Sequence, residues 1–426
     1  MPIPLYKIID KWIGTPLAFA LGIISKAGAQ PSLPTNPKKI LIIKLWAIGD
    51  SIVMLPLLKA LREKFPSTEI DVLCRNRNKE VFECAQGISA IRVLEMGSLG
   101  QLVSLRRGND GGYERRHDRR YYRGYDIVID GEPYLRLSAI LAYFLGKTRI
   151  GWGGFVRSKL YTHTVPFDRT RHMVRNYVAM AELLGATYMD QELVKPIISD
   201  MDRRHVTMAF ESRGIATGDY LIAAAPSVAE SSKSRQWMPD RFAQALDRIA
   251  DQRKAKILFI GGRSDLRAIN EVRTLMNHSS ITLAGQLNLA QTFEVLSRCK
   301  IAVSVDTGPM HAAAAVGVPT IGLFGPNIPT LWAPYGPKHI SIYHAVECSP
   351  CIINEKGQMP DCLRKTDKYL CMKKITVDEI VKTAEKLHAT HHAKHNGTNH
   401  ARNHSSMLHR KHSDKNSSAR PVSPSD

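Results

Sequence analysis

Between Ile301 and Pro326 the chain reads IAVSVDTGPMHAAAAVGVPTIGLFGP. An unbroken apolar run ends at Asp306-Thr307-Gly308, a small-residue stretch with Ala312 to Ala315 follows, and a second apolar run closes at Phe324-Gly325-Pro326. Continuous apolar runs of this length are what a sheet strand covered on both faces needs. The alanines let the intervening helix lie close against that sheet. A strand, a Gly-containing turn, a helix and a strand in so short a space make a βαβ unit, and with it a parallel sheet. The turn also aims backbone N–H groups and the positive end of a helix dipole at one spot, which suits a phosphate. Asp306, Thr307 and His311 fall at the C-terminal end of the first strand, where open α/β sheets bind their ligands.

The same alternation runs through the rest of the chain. Lys39 to Lys44 reads as a strand, and Ser51 to Lys64 carries Ile52, Leu55, Leu58 and Leu61 at helical spacing. Ile70 to Leu73 and Ile127 to Ile129 read as short strands, and His172 to Gly185 as a helix leading out of the first half. A second half opens at Tyr220 with an apolar run ending at Ser227, and passes through Lys233, Arg235 and Trp237 to a helix from Pro239 to Asp251. A strand from Lys256 to Ile260 then meets Gly261-Gly262-Arg263-Ser264-Asp265. That Gly-Gly turn lacks G-x-G-x-x-G and is no dinucleotide fingerprint. With 426 residues, 44% of them hydrophobic, the chain can bury two cores.

These residues resemble glycosyltransferase family 9, the bacterial heptosyltransferase family. Its C-terminal signature, D-T-G-x-x-H-x-A-A-A followed by Pro and F-G-P, is matched by Asp306, Thr307, Gly308, His311, Pro319, Phe324, Gly325 and Pro326. A second signature lies near the N-terminus: Ile40-Leu41-Ile42-Ile43-Lys44, a short turn, Gly49-Asp50-Ser51, Leu55-Pro56-Leu57 and Phe65-Pro66. The resemblance covers about residues 38 to 388. It implies an α/β chain of the GT-B class, two Rossmann-like doubly wound domains facing a central cleft. Residues 38–200 would form the acceptor domain and 219–345 the donor-nucleotide domain, with a Cys-containing segment, 346–388, returning to the first domain.

The resemblance also implies an inverting glycosyltransferase that moves heptose from ADP-heptose onto a lipopolysaccharide inner-core acceptor, with no cofactor required for catalysis. Asp50 would be the general base. It follows Gly49 at a strand-to-helix turn; the alternative is a helix cap, a common role for Asp, and a helix N-terminus lowers a carboxylate pKa. Donor binding would fall to Asp306, Thr307, Gly308, His311 and Gly325, with Ser227 and Leu287 lining the nucleotide pocket and Asp265 facing the ribose. The family has Lys two residues before Trp; here Arg235 stands there with Lys233 nearby, and Arg forks bidentately where Lys does not. Asn327 replaces the usual Thr after F-G-P. The triplet Asp200-Met201-Asp202 imitates a metal-binding D-x-D but reads as a helix start.

The formal charge of +20 asks for an acidic partner: nucleic acid, anionic lipid or a phosphorylated substrate. Seven arginines between Arg106 and Arg123, interleaved with Tyr113, Tyr121 and Tyr122, could be a solvated loop, an acceptor-phosphate or membrane patch, or an RNA surface. They give the rival reading its best residues: a non-catalytic basic protein of the same fold that binds RNA or anionic lipid. Residues 389–426, rich in His, Asn, Ser, Lys and Arg, read as a disordered tail. At the other end, residues 1–36 hold an apolar stretch from Trp12 to Ile24, too short for a bilayer span. It reads as an interfacial segment on the inner membrane of a cytoplasmic enzyme, with a signal peptide and a helix packed on the domain surface as alternatives. The partners then expected are a nucleotide sugar, a lipid-linked saccharide and the membrane surface, and no nucleic acid. Cys74, Cys84 and Cys299 read as buried hydrophobes. Cys348, Cys351, Cys362 and Cys371 could hold one structural zinc, stay reduced, or form two disulfides.

Overall fold

The computed structural model describes residues 10, 12–26, 30–95 and 124–389. The arginine-rich stretch from Arg106 to Arg123 and the tail beyond 389 lie outside the described residues. Two six-stranded sheets, all of whose pairings are parallel, form the frame. The first holds β1 (Lys39–Ile43), β2 (Glu69–Cys74), β3 (Ala90–Val93), β4 (Tyr125–Asp130), β5 (Gly146–Trp152) and β6 (His163–Val165). The second holds β7 (Leu221–Ala225), β8 (Lys256–Phe259), β9 (Ser280–Thr282), β10 (Ile301–Val305), β11 (Thr320–Phe324) and β12 (Ile340–Tyr343). The orders are 3-2-1-4-5-6 and, read from the opposite edge, 9-8-7-10-11-12. Both halves therefore reverse direction once, between β1 and β4 and between β7 and β10. That order is the doubly wound Rossmann arrangement, and such reversals open a crevice beyond the strands' C-terminal ends.

The central strands are apolar because both faces are covered: β7, β10 and β11 are buried at every position. The covering helices of the first half are α1 (Gly14–Lys26), α2 (Ile48–Lys64), α3 (Asn76–Glu83), α4 (Arg136–Leu145) and α5 (Met173–Glu182). Those that follow are α6 (Asp200–Glu211), α7 (Pro239–Arg253), α8 (Leu266–Leu275), α9 (Leu289–Arg298) and α10 (Gly308–Ala315). Helix α6 starts at Asp200 with Ser199 as its cap, accepting from Asp202 N at 3.1 Å, so the D-x-D triplet is a helix start. A final helix, 377–389, is α11.

The halves share buried apolar surface, in a cluster that runs from Ile40 and Ile52 through Tyr177 to Ala312 and Trp332. His172 pins the junction. Its Nδ1 accepts from Val174 N at 3.2 Å as the cap of α5, and its Nε2 donates to Ala333 O at 2.8 Å. Both nitrogens are thus used by the neutral ring, and burial holds its pKa down at about 4.

The segment after residue 345 touches both halves. Its helix α11 lies on the second half, where Ile380, Val381, Ala384 and Leu387 join the core beneath α7. Arg241 Nη1 donates to Ile375 O at 3.1 Å, and Arg248 pairs with Asp378 at 2.5 Å. The turn at 354–357 reaches the first half, through Glu355 to Arg169 at 3.2 Å. Helix α11 stays on the second half because Ile375, Ile380, Ala384 and Leu387 make an apolar stripe that is buried there.

At the N-terminus, α1 packs Ala18 against Ala139, Leu160 and Tyr161. Asp10 holds the segment in place by capping α4: its Oδ1 accepts from Arg136 N at 2.9 Å and Leu137 N at 2.8 Å. The outer face of α1 and the two residues before it are apolar and open, with Trp12 71%, Ile13 63%, Ile23 60% and Ile24 63% exposed. Among the described residues no helix is long and apolar enough to cross a membrane.

Candidate active site at two facing crevices

At the first reversal, β1 ends in Lys44 and the loop turns into α2 through Ala47, whose φ is +63°. Lys44 has no solvent exposure. Its ammonium lies 3.2 Å from Glu132 and 3.8 Å from Asp50, beneath the Tyr177 ring at 5.9 Å. Burial alone disfavours that charge, yet Glu132, Tyr177 and Asp50 together hold the Lys44 pKa above the ordinary lysine value. Glu132 Oε1 also accepts from Leu45 N at 2.6 Å and Trp46 N at 2.8 Å, so one carboxylate fixes the whole turn. Just before it, Asp130 binds Tyr161 OH at 2.6 Å, Ser138 Oγ at 2.8 Å and the buried Arg157 at 3.3 Å.

Asp50 stands in the first turn of α2 but makes no cap; that position belongs to Ala47, with no side-chain hydrogen bond. Desolvation dominates and raises its pKa, opposed by Lys44 and Arg235 and reinforced by Asp306. The lowering expected of a capping carboxylate does not occur, because desolvation outweighs the pull of Lys44 and Arg235. A raised pKa is what a general base needs near neutral pH.

Across the cleft, the second reversal supplies Asp306 at the end of β10 and Thr307 as the N-cap of α10. Asp306 is 4% exposed and takes Arg235 at 3.3 Å and Asn327 Nδ2 at 2.7 Å on the same oxygen. Arg235, at the end of a short 3-10 turn, is thus the cation that reaches the crevice, while Lys233 lies exposed two residues earlier. Asn327 donates to Asp306 and so positions it. The two helix N-termini meet closely: a Cβ at Gly49 would lie 2.8 Å from His311 Cδ2 and 3.2 Å from Gly308 Cα. Gly49 is required there by that approach. His311 is buried, its Nδ1 has no partner, and desolvation lowers its pKa to about 4, so the ring is neutral.

The other expected donor contacts are placed less simply. Ser227 Oγ donates to Asp265 Oδ1 at 2.7 Å, and Gly262 N donates to Asp265 Oδ2 at 2.7 Å. Asp265 therefore spends one oxygen on Ser227 and the other on the Gly261-Gly262 turn. Leu287 is half-buried against the core. A Cβ at Gly325 would run into Met372 Sδ and Cys371 Sγ. Its smallness serves the docking of the C-terminal segment.

The four late cysteines are free thiols around one small cavity beside Ser234 and Pro326. Among the described residues no group of three or more His, Cys, Asp or Glu is arranged to hold a metal ion, so the zinc reading finds no support. Cys362 Sγ instead accepts from Tyr369 N at 3.1 Å, and burial pushes the Cys371 thiol up to about 11. Cys74, Cys84 and Cys299 are buried, as expected.

With this geometry in hand, the comparisons with known proteins are direct. The family described as glycosyltransferase family 9 (heptosyltransferase) matches residues 115–359, more than half of the chain. The chain belongs to glycosyltransferase family 9. It is an enzyme, a glycosyltransferase, with the GT-B arrangement. Lipopolysaccharide heptosyltransferase 2 of Escherichia coli K12 is 29% identical over 336 residues, 72% of this chain and 90% of that protein. The family 9 glycosyltransferase of Veillonella parvula superposes with a TM-score of 0.68 at 24% identity, over 85% of this chain and 100% of the other. An Escherichia coli ADP-heptose lipopolysaccharide heptosyltransferase II superposes at 0.63 with 21% identity, over 83% of this chain and 99% of the other. Nothing in these likenesses favours the rival non-catalytic binding protein.

The residues that sequence reading missed are Glu132, Asp130, Tyr177 and Arg157. A signal for two of them was present: Asp130-Gly131-Glu132 follows the apolar run of β4 directly, a pair of carboxylates where a reversal of strand order would bring them to the crevice.

Proposed function

We propose that this family 9 glycosyltransferase moves a heptose from ADP-heptose to a hydroxyl of a lipopolysaccharide inner-core saccharide, with inversion at the anomeric carbon. The sugar identity is supported by relatives named as lipopolysaccharide heptosyltransferases. The observation that carries the mechanism is the pairing of two crevices: a partly exposed carboxylate, Asp50, faces the Arg235–Asp306 pair and the start of α10. The first domain, 38–200, takes the acceptor, and 219–345 takes the nucleotide.

In this reading Asp50 accepts the acceptor's proton as its oxygen attacks C1 of the heptose. The C1–O bond to the diphosphate breaks on the opposite face, and its electron pair leaves with ADP. Arg235 and the N–H groups at the start of α10 stabilise the charge growing on that diphosphate. Asp306, held by Arg235 and Asn327, orients the donor. Lys44 keeps Asp50 ionised between turnovers, and Glu132 keeps Lys44 in place.

The same reading puts the enzyme on the cytoplasmic face of the inner membrane, where a lipid-linked acceptor is presented. Support comes from the open apolar face of α1, joined by exposed Phe144 and Val156, with Lys159 Nζ 4.0 Å above the Phe19 ring. The test of function is ADP release from a panel of nucleotide sugars with a lipopolysaccharide core acceptor. Turnover with ADP-heptose is expected; turnover with another nucleotide sugar and none with ADP-heptose would overturn the assignment.

A further inference from the structure

Beyond the cleft, a cavity of about 580 Å³ opens between the first domain and the turn at 354–356. One wall is Gly153, Gly154, Phe155 and Phe167, and the other is Glu355 and Lys356. The volume suits one or two sugar rings. Three features make it a built site. The Glu355 side chain is 5% exposed, yet its Oε2 has no hydrogen-bond partner, a costly arrangement unless a donor arrives. Its other oxygen is held by Arg169 at 3.2 Å, which fixes the carboxylate across the domain boundary. Two aromatic rings, Phe155 and Phe167, stand edge to face at 6.5 Å and give this wall apolar surface for the C–H face of a pyranose.

The charges select further. Arg169 and Lys356 outnumber the single carboxylate, so the rim favours a ligand bearing an anionic group while Glu355 takes its hydroxyls. Position matters as well. The loop after β5 lies at the same C-terminal edge as Asp50, two strands from β1 in the order β1-β4-β5, about 10 Å away.

We propose that this cavity binds an acidic sugar residue of the acceptor, next to the one that is glycosylated, through Glu355 Oε2, Arg169, Lys356 and the Phe155–Phe167 surface. The assignment rests on the glycosyl-transfer reading above. It places recognition of the acceptor partly on the C-terminal segment, so that both domains grip the same substrate.

The test is calorimetric titration of the full chain with a deacylated lipopolysaccharide core oligosaccharide, with neutral maltotriose and inorganic phosphate as separate probes. The oligosaccharide should bind, and Glu355→Gln and Lys356→Ala should each weaken it about tenfold. In turnover assays both variants should raise the acceptor KM by a similar factor and leave the donor KM unmoved. Lys356 is exposed, so its variant keeps the test open should Glu355→Gln fold poorly. Equal binding by all three proteins, equal binding of maltotriose, or full competition by phosphate alone would overturn the proposal. So would a rise in donor KM, which would make the Arg169–Glu355 bridge a domain latch. Titration needs no turnover: an oligosaccharide that binds here but is never glycosylated would sink the proposed function and leave the site standing.

Discussion

The two crevices have one topology and opposite furnishings. At the first, the strand ends carry side-chain charge: buried Lys44, Asp130 and Glu132 around Tyr177 and Arg157, with Asp50 partly exposed beside Lys44. At the second, the strand ends carry small residues and backbone, Ala225, Ser227, Thr307 and Gly308, with one ion pair at Arg235 and Asp306. A doubly wound sheet thus fixes where a ligand goes and leaves the chemistry free. Fixed backbone donors suit a diphosphate, whose charge is always present. A hydroxyl has no charge until its proton leaves, so it needs a base whose pKa is set by buried neighbours.

The sharpest way to break that contrast is to exchange carboxylate for amide on each side. Asp50→Asn should lower turnover by about 10²- to 10⁴-fold with little change in donor KM. Because desolvation raises the Asp50 pKa, the acid limb of kcat/KM should lie above the 3.8 of an unshifted Asp. Asp306→Asn should instead raise the donor KM first. Equal small losses in both variants would make Asp50 a structural residue.

Next in size is the network's dependence on its cation. Lys44→Met leaves Glu132 buried without its counter-charge and should cost about 3–5 kcal/mol, read as a lower urea midpoint for the first domain. Arg235 is itself 16% exposed where Lys44 is fully buried, and Asp306 keeps its hydrogen bond from Asn327, so Arg235→Met should cost less. A reversal of those two costs would show that the first crevice is not the more strongly charge-bound.

Acid should loosen the junction between the crevices. His172 and His311 have folded pKa values lowered to about 4, against 6.5 for the unshifted group. The unfolded chain binds more protons in that window, so stability is full above about pH 6.5 and is lost as pH falls toward 4. Thermal unfolding from pH 7 to 4.5 checks this; His172→Gln should flatten the slope. Smallest of all is Asn327→Thr. It exchanges one hydrogen bond to Asp306 for a shorter side chain, worth about 1 kcal/mol, and should raise the donor KM roughly fivefold.

Much of this frame was legible before the structure. The strand runs ending at Lys44 and Asp306 could be read because buried parallel strands leave no polar alternation, and each ends abruptly at a charged or capping residue. Glycines 49 and 308 marked the helix starts, though not that they would touch. What could not be read was side-chain direction. Arg235 and Lys233 are two residues apart on a 3-10 turn, and only the turn's own twist decides which enters the crevice. Gly325 looked like a ligand contact because it sits in a signature, yet its neighbour is Met372, nearly fifty residues later. Glu132 was hidden for the same reason: its partners Lys44, Leu45 and Trp46 are remote in sequence.

One residue of the junction has an optical consequence. Trp332 is 3% exposed, with its ring 6.4 Å from that of His311 and its indole N–H unpartnered. Its emission is set by the apolar cluster it is buried in between the halves. Any motion that parts them admits water to the indole and shifts that emission to the red. The protein therefore carries its own reporter of cleft opening, which a difference spectrum against Trp332→Phe isolates from the other four tryptophans. Stopped-flow mixing with nucleotide would then time the closing of the cleft without a label.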